Sequence, residues 1–316
     1  MKSIAENSRM LALAAAWALL PVSNLAGSAM NDLAFQNTSF AIDLYQKIRG
    51  QEGNLFFSPY SISTALGMTC AGARGQTAAE MAKVLHFVLP APALHEAFGD
   101  LAARVAEVEA KKQVTFSVAN SLWADKDYPF IEAYLNLCRT RYQAEARLVD
   151  FAKASEASRR EINSWVEKQT QDRIKDLLHD GDVTPLTRLV LCDAIYFKGN
   201  WATPFDPKST QPAPFFLAPD KSVDVSTMHR QAPFKAMKSG ALSLIDLPYA
   251  GGDLSMVILL PEAKDGLGEI ERQLLSDSFH QRGGPRLQGV AAPTKPPADQ
   301  ALFAQISALE SARVPA

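Results

Sequence analysis

The chain has 316 residues and a formal net charge of −2, with 47% hydrophobic and 21% charged residues. This composition is ordinary for a soluble globular protein with a substantial core, arranged as one large domain or two small ones. The near-neutral charge, and the lack of a basic stripe interleaved with aromatic residues, argue against a nucleic-acid partner and against binding to an acidic membrane.

The N-terminus has the order of features that is typical of a secretory signal peptide. Positive charges precede the apolar run Met10–Leu20, and small residues follow at positions 26–29. The apolar run is too short to span a membrane. We therefore predict that residues 1–29 are a leader and that the protein is secreted to an extracellular or periplasmic compartment. A short hydrophobic N-terminal helix, or translation that begins at Met30, is the alternative interpretation.

The segment after the leader predicts helices with a few short strands. Leu55–Phe57 predicts a short buried strand, and Ser58 can cap a helix over Tyr60–Ala71 because Pro59 suits its first position. Small residues crowd this helix, so we expect other backbone to approach it closely. A strand is predicted over Val114–Trp123 from its loose alternation.

Two capping-box patterns predict the starts of further helices. Thr77 is followed by Glu80, and Ser158 is followed by Glu161, each before an apolar run. In such a box the first side chain accepts from the backbone of the third residue on. We therefore expect helices that begin at these two hydroxyl residues.

Leu189–Trp201 is an apolar segment with one charged exception. Its first nine residues are apolar except Asp193, and a glycine and an asparagine end it. Such a run predicts a strand that is buried on both faces in the middle of a sheet. A buried carboxylate is unfavourable without hydrogen-bonding partners, so either Asp193 is paired across the sheet or the strand is locally open.

The pattern beyond Trp201 is rich in β-strands until the character changes. Leu242–Leu247 and Leu254–Leu260 flank two glycines and predict a hairpin, and Gly266–Leu275 predicts a helix. From 281 to 298, seven of eighteen residues are Gly or Pro, too many for a segment that must bury apolar surface to become ordered. A weak helical pattern follows at Leu302–Leu309.

Known catalytic motifs are missing from the sequence. It has no nucleophile elbow, no phosphate-binding glycine loop and no zinc-protease motif. The three cysteines, Cys70, Cys138 and Cys192, lie far apart in apolar contexts and predict buried thiols rather than metal ligands or nucleophiles. We therefore predict that the protein is not an enzyme and holds no metal, which leaves inhibition, binding and transport open.

Four segments, in the right order, resemble the serpin family. Asn54–Phe87 is similar to the region of helices B and C, and Ile162–Leu178 to helix F and the loop after it. Leu189–Phe205 resembles strand 3 of sheet A, and Leu242–Ala263 a strand pair of sheet B. The resemblance covers about residues 35–275.

The resemblance implies an α+β fold in which helices pack on large mixed β-sheets. It also implies suicide inhibition of a serine protease, or sometimes of a cysteine protease, without a cofactor. The protease cleaves an exposed reactive-centre loop, and the cleaved loop then inserts as a strand beside Leu189–Phe197. The inhibitor itself does no catalysis.

Site residues carried over from the resemblance are conformational. Ser58, Ser61 and Asp193 match the shutter, the region beneath the sheet where strands part, and Trp201 matches the breach, where insertion begins. The family pattern has Asn where this chain has Asp193, and an ionised carboxylate accepts hydrogen bonds but cannot donate them. This departure either loosens the shutter or requires a protonated Asp193. The alternative is that all four residues only pack the fold.

Past about Leu275 the resemblance ends. The neighbouring strand of sheet A, the hinge, the reactive-centre loop with its bait residue and the last strands of sheet B are not recognised. We therefore expect a partial serpin-like domain at 30–275 and a divergent, disordered tail at 276–316 that arises from a truncation or a frameshift. The chain is then an inactive inhibitor and a monomer that aggregates through open sheet edges. The alternative is a non-inhibitory secreted binding protein that retains the N-terminal scaffold.

Overall fold

The computed structural model describes residues 29–51, 55–240, 242–274 and 303–307. Helices in these ranges are α1 (Ala29–Ile48), α2 (Pro59–Gly72), α3 (Gly75–Val84), α4 (Ala91–Ala110), α5 (Glu132–Tyr142), α6 (Phe151–Gln169) and α7 (Leu267–Gln273). Strands are β1 (Val114–Asp125), β2 (Glu145–Val149), β3 (Leu189–Gly199), β4 (Gln211–Ala218), β5 (Lys221–Gln231), β6 (Lys235–Ser239), β7 (Leu242–Pro248), β8 (Ser255–Pro261) and β9 (Phe303–Ser307).

The chain divides into two compact units. The described residues of the first unit are 29–41 and 57–199, and those of the second are 42–51, 55–56 and the described segments from 200 onward. The predicted leader, apart from Ala29, lies outside the described residues, as does most of the predicted tail. The α+β class predicted from the resemblance is confirmed.

The first unit is built on a sheet of order β2-β1-β3. The strand β1 runs parallel to β2 and antiparallel to β3, and the antiparallel pair extends over eleven residues, from Val114 opposite Gly199 to Ala124 opposite Leu189. Among the described residues no strand pairs with the other edge of β3. Within the part of the chain that the structure describes, β3 is therefore an edge strand with mostly partly buried residues, which differs from the predicted central strand buried on both faces.

Helices cover the two faces of this sheet. An apolar cluster joins α6 to the sheet through Trp123, Trp165, Ile162 and Cys192. Because side chains alternate along a strand, Asp193 points to the opposite face, where α2 packs against β3. The face toward α6 is closed by aromatic and aliphatic side chains, whereas the face toward α2 carries polar groups.

Helix α2 is closely packed, as its small residues predicted. A Cβ atom added at Gly67 would lie 3.0 Å from Cε2 of Phe98 and 3.0 Å from the Tyr142 hydroxyl. That hydroxyl is itself fixed, because it lies 2.7 Å from Nδ1 of the buried His95. Gly67 therefore allows α2, α4 and α5 to approach one another.

Neither capping box begins a helix. Helix α6 begins seven residues before Ser158, with Asp150 as its N-cap accepting from the Lys153 backbone N–H at 2.9 Å. The Ser158 hydroxyl instead donates to the carbonyl of Ala154, whose φ of −139° marks a kink near the helix start. Thr77 likewise lies inside α3. The prediction failed at α6 because an earlier cap and a tolerated kink extend the helix upstream, whereas α3 begins at Gly75 without any side-chain cap.

Antiparallel sheets of order β4-β5-β9 and β6-β7-β8 form the second unit. The hairpin of β7 and β8 is confirmed, and its turn places Gly251 and Gly252 at φ values of +88° and +72°, which glycine adopts without strain. The weak helix predicted at Leu302–Leu309 is wrong, because Phe303–Ser307 pairs with β5 as a strand. Leu55–Phe57 also forms no strand.

A partly buried hydrogen-bond network joins α1 to α7 within the second unit. Glu271 accepts from the Tyr45 hydroxyl at 2.5 Å and from Nη1 of Arg49 at 3.0 Å. The Gln46 side chain donates to the backbone carbonyls of Glu271 and Leu274. These contacts satisfy carbonyl groups at the C-terminal end of α7, which its own helix leaves unpaired.

The tight packing at Gly67 makes a stability prediction. We expect Gly67→Ala to destabilise the protein by about 1–3 kcal/mol, because overpacking a rigid core outweighs the gain of about 1 kcal/mol in helix propensity. Denaturant unfolding followed by circular dichroism measures this change. The matched control is Gly268→Ala in α7, where the nearest atom is 4.0 Å from the added Cβ and the same substitution should stabilise. Equal effects of the two substitutions would contradict the packing argument.

Candidate functional site

Asp193 lies in the middle of β3 without hydrogen-bonding partners. Both of its carboxylate oxygens are buried, and neither makes a hydrogen bond with any described residue. Burial raises the pKa of Asp193 from 3.8 to about 6, while the nearby Ser61 side chain acts in the opposite direction. The Ser61 contact does not meet hydrogen-bond geometry, so we regard the carboxyl group as close to Ser61 but not bonded to it.

Asn120 on β1 is a site residue that the sequence reasoning missed. It lies directly opposite Asp193 in the β1–β3 register and is 7% exposed. Its Nδ2 donates to the backbone carbonyl of Tyr142 at 3.1 Å, but its Oδ1 has no partner among the described residues. The signal was present in the sequence, since Asn120 is an amide within a predicted apolar strand.

Ser58 and Ser61 lie at the start of α2, near Asp193. The Ser58 hydroxyl caps the helix by accepting from the Ser61 backbone N–H at 3.2 Å. Tyr60 lies between them, and burial, followed by the charge of Asp193, raises its pKa. The structure thus brings three of the four predicted site residues together in the first unit. Their conformational role stays a prediction.

Trp201 belongs to the second unit. Its ring stacks on Tyr249 with a centroid distance of 4.6 Å and an interplanar angle of 10°, and it meets Phe205 edge-on at 6.1 Å. The Ala202 backbone N–H also donates to the Pro248 carbonyl at 2.9 Å. These contacts pack Trp201 and Ala202 against residues that flank the hairpin turn of β7 and β8, and the predicted role of Trp201 at the breach stays a prediction.

The described residues offer little catalytic chemistry. They contain no group of three His, Cys, Asp or Glu side chains that could hold a metal ion. The three cysteines are free thiols, and burial raises the pKa of Cys138 and of Cys192 to about 11. Both are therefore protonated at neutral pH and poor nucleophiles, which confirms the prediction of buried thiols for these two.

None of the described helices is both long and apolar enough to cross a bilayer.

The cap at Ser58 makes a prediction about α2. We expect Ser58→Ala to destabilise the protein by about 1 kcal/mol, because the Ser61 backbone N–H loses its acceptor at the helix start. Thr69→Ala is the control, since Thr69 is exposed on the same helix and only bonds back to the Ala65 carbonyl. We expect that control to stay within about 0.5 kcal/mol of the wild type in denaturant unfolding. A loss at Thr69 as large as that at Ser58 would contradict the cap.

The sequence of this chain is similar to a known protein family and to several of its members. A family model described as "Serpin (serine protease inhibitor)" matches residues 35–288. The leukocyte elastase inhibitor of Bos taurus is 41% identical over 260 residues, which cover 80% of this chain and 68% of that protein. Serpin B3 of Homo sapiens is 36% identical over 268 residues, with 79% and 68% coverage.

Solved structures agree with these relatives. Ovalbumin from the emu, Dromaius novaehollandiae, matches with a TM-score of 0.75 and 29% identity over 89% of this chain and 72% of that one. A structure described as a tumour-suppressing serpin matches with a TM-score of 0.73 and 30% identity over 80% of this chain and 70% of that one.

These relatives correct the predicted location. Leukocyte elastase inhibitors and Serpin B proteins form an intracellular group of serpins without signal peptides. The prediction of secretion through a leader at residues 1–29 is therefore wrong. It failed because a charged start followed by a short apolar run is not specific to exported proteins.

The family match extends over most of the chain, and relatives more than a third identical agree with it along about two thirds of their own length. The chain therefore belongs to the serpin family.

Proposed function

We propose that this chain is a serpin-type scaffold for the inhibition of a serine protease, and that it forms no covalent trap by itself. The observation that carries the proposal is the free edge of β3. Over Leu189–Gly199 this strand pairs with β1 alone among the described residues. A protein of this design acts by accepting a strand rather than by catalysing a reaction.

The free edge is chemically suited to accept a strand. An edge strand presents unpaired N–H and C=O groups, and an added segment gains ladder hydrogen bonds and side-chain burial. Eleven residues pair continuously with β1, so β3 is regular enough to template a long partner. Such edges also favour aggregation, and we propose that the chain is a monomer that aggregates on heating.

The protease class and the inactivity rest on the relatives and on the C-terminal sequence. The relatives include proteins named leukocyte elastase inhibitor, which supports an elastase-type serine protease as the target. The chain corresponds to about two thirds of their length. Past about Leu275 the sequence is rich in Gly and Pro and carries no recognisable hinge or bait residue, which supports inactivity.

Within this proposal the four predicted site residues have conformational roles. Ser58 and Ser61 hold the start of α2 beneath the sheet, and Asp193 occupies the strand beside which insertion takes place. Trp201 anchors the exit of that strand on Tyr249. None of them contacts a protease or takes part in proteolysis.

The inactivity is tested by mixing the purified chain with leukocyte elastase. We expect no complex that survives SDS gel electrophoresis and no lasting loss of elastase activity, because no bait loop forms the acyl-enzyme. Bovine leukocyte elastase inhibitor under the same conditions is the positive control. An SDS-stable band at the summed mass of chain and protease would overturn the inactivity.

Strand acceptance is tested with a synthetic peptide. We expect an alternating apolar and polar peptide of about eleven residues to raise the unfolding midpoint in a saturable manner, by ligand linkage. The matched control replaces alternate residues of the peptide with proline, which removes ladder donors and should abolish the effect. Equal stabilisation by both peptides, or by neither, would contradict acceptance at the β3 edge.

A further inference from the structure

Two polar groups without partners face each other across the β1–β3 pair. Asp193 has two buried oxygens that accept no hydrogen bond, and Asn120 has a buried Oδ1 that accepts none. The two residues are register partners, and directly opposite residues in an antiparallel pair have Cβ atoms about 4.5–5.5 Å apart. Each group therefore lies within reach of the other, although three acceptors with no hydrogen between them repel one another.

The orientation of the Asn120 amide decides which atom faces Asp193. Its Nδ2 is already committed as a donor to the Tyr142 backbone carbonyl at 3.1 Å. Rotating the amide would direct Oδ1 at that carbonyl, so the donor cannot be turned toward Asp193 without creating a second repulsive contact. The oxygen of Asn120 is the atom left for the carboxyl group, and only a donor can satisfy it.

We infer that Asp193 is protonated in the folded sheet and donates its hydrogen to Oδ1 of Asn120, so that ionisation of this one carboxyl group weakens the β1–β3 sheet. One proton then gives Oδ1 of Asn120 a donor and removes the buried charge of Asp193, whose other oxygen remains an acceptor near Ser61. The pair becomes a protonation switch built into the centre of the sheet, and it operates whether or not the chain traps a protease.

The surroundings favour the neutral carboxyl group. Burial is the main cause of the raised pKa of Asp193, and no charged side chain of α2, α4, α6 or β1 in the described residues contributes to it. Two titratable neighbours respond to Asp193, namely Tyr60 on α2 and Cys192 on β3 itself, and burial raises the pKa of both. Both stay neutral between about pH 4 and 8, so neither supplies a compensating charge.

Of the remaining titratable groups on the elements around β3, Glu109 on α4 and Glu145 on β2 line a cavity that Asn120 and Tyr60 also line, and the charge of neither contributes to the raised pKa of Asp193. On α2 the other such group is the Cys70 thiol, whose pKa is raised by burial alone. Asp125 lies at the far end of β1, where Arg188 is 3.9 Å away. Helix α4 packs against β1, and its His95 bonds to Tyr142. The charged residues of α6 are on the opposite face and are Lys153, Glu156, Arg159, Arg160, Glu161, Glu167 and Lys168.

The direction of the pH effect follows from linkage. The pKa of Asp193 is about 6 in the folded chain, above its ordinary value of 3.8, so the folded chain holds a proton that the unfolded chain loses. The stability from the protonated pair is fully present below the unfolded pKa and is lost as the pH rises through about 6. A difference of about two pKa units corresponds to a change of about 100-fold in the unfolding equilibrium constant.

The test compares Asp193→Asn with the wild type at two pH values. Unfolding constants are measured with denaturant at about pH 4.5 and about pH 7.5, on either side of the raised pKa. We expect the ratio of the wild-type constant to that of Asp193→Asn to rise about 25-fold between the two, because an amide never ionises and pH 4.5 already lies above the ordinary pKa of 3.8. Asp100→Asn, which replaces an exposed Asp on α4 of the same unit, is the matched control. The ratio of the wild-type unfolding constant to that of Asp100→Asn should be the same at both pH values. A ratio to Asp193→Asn that is the same at both pH values would overturn the inference.

A second variant tests the partner of the proton. Asn120→Ala removes the acceptor of the protonated form, so the midpoint of the wild-type pH transition should move to lower pH. The infrared difference spectrum between the wild type and Asp193→Asn at about pH 5, below the raised pKa, should also contain the band of one protonated carboxylic acid. An unmoved midpoint would contradict donation to Asn120, and a difference spectrum without the band would contradict protonation of Asp193.

Discussion

The register of β1 against β3 is the constraint on which the first unit depends. Eleven consecutive residue pairs fix which side chains face each other and which face of the sheet they occupy. Asn120 and Asp193 meet on the side of α2, whereas Ser121 and Cys192 meet on the side of α6. Because side chains alternate, a slip of one residue would move the carboxyl group into the apolar cluster under α6. The polar pair is therefore a consequence of the apolar packing on the other face.

The two faces of this sheet differ in how completely their polar groups are satisfied. Under α6, the Trp123 indole donates to Ser121 at 2.8 Å and the Trp165 indole donates to Glu145 at 2.9 Å. Under α2, Asn120 and Asp193 keep unpaired acceptors. A buried acceptor without a donor costs about 1–3 kcal/mol, so the α2 face is where this sheet is least stable. One proton on Asp193 supplies a donor for Oδ1 of Asn120 and removes the buried charge, so it reduces this deficit.

Local sequence signals predicted individual helices and turns, but they did not predict which distant strands pair. Ser58 followed by Pro59 located α2 to within a residue, and the paired glycines located the hairpin of β7 and β8, because caps and turns depend on neighbouring residues. The edge position of β3 could not be read in this way, since an apolar run is the same whether one or two strands pair with it. Asp193 stood out in the sequence because it is the one charged residue within the apolar part of its strand. Its partner Asn120 was missed because only the register between distant segments places them together.

The free edge of β3 and the unpaired carboxyl group within it are physically connected. Asp193 is only partly buried as a residue, because no described strand covers the edge beside it. Its two carboxylate oxygens are nevertheless buried. A strand added at the edge would cover the rest of the residue and would increase the desolvation that already raises the pKa of Asp193. By linkage the effect is reciprocal: if strand addition favours the proton, protonation must favour strand addition by the same free energy. An Asn at position 193 would remove this coupling, whereas the Asp of this chain would make the proposed acceptance of a strand depend on pH.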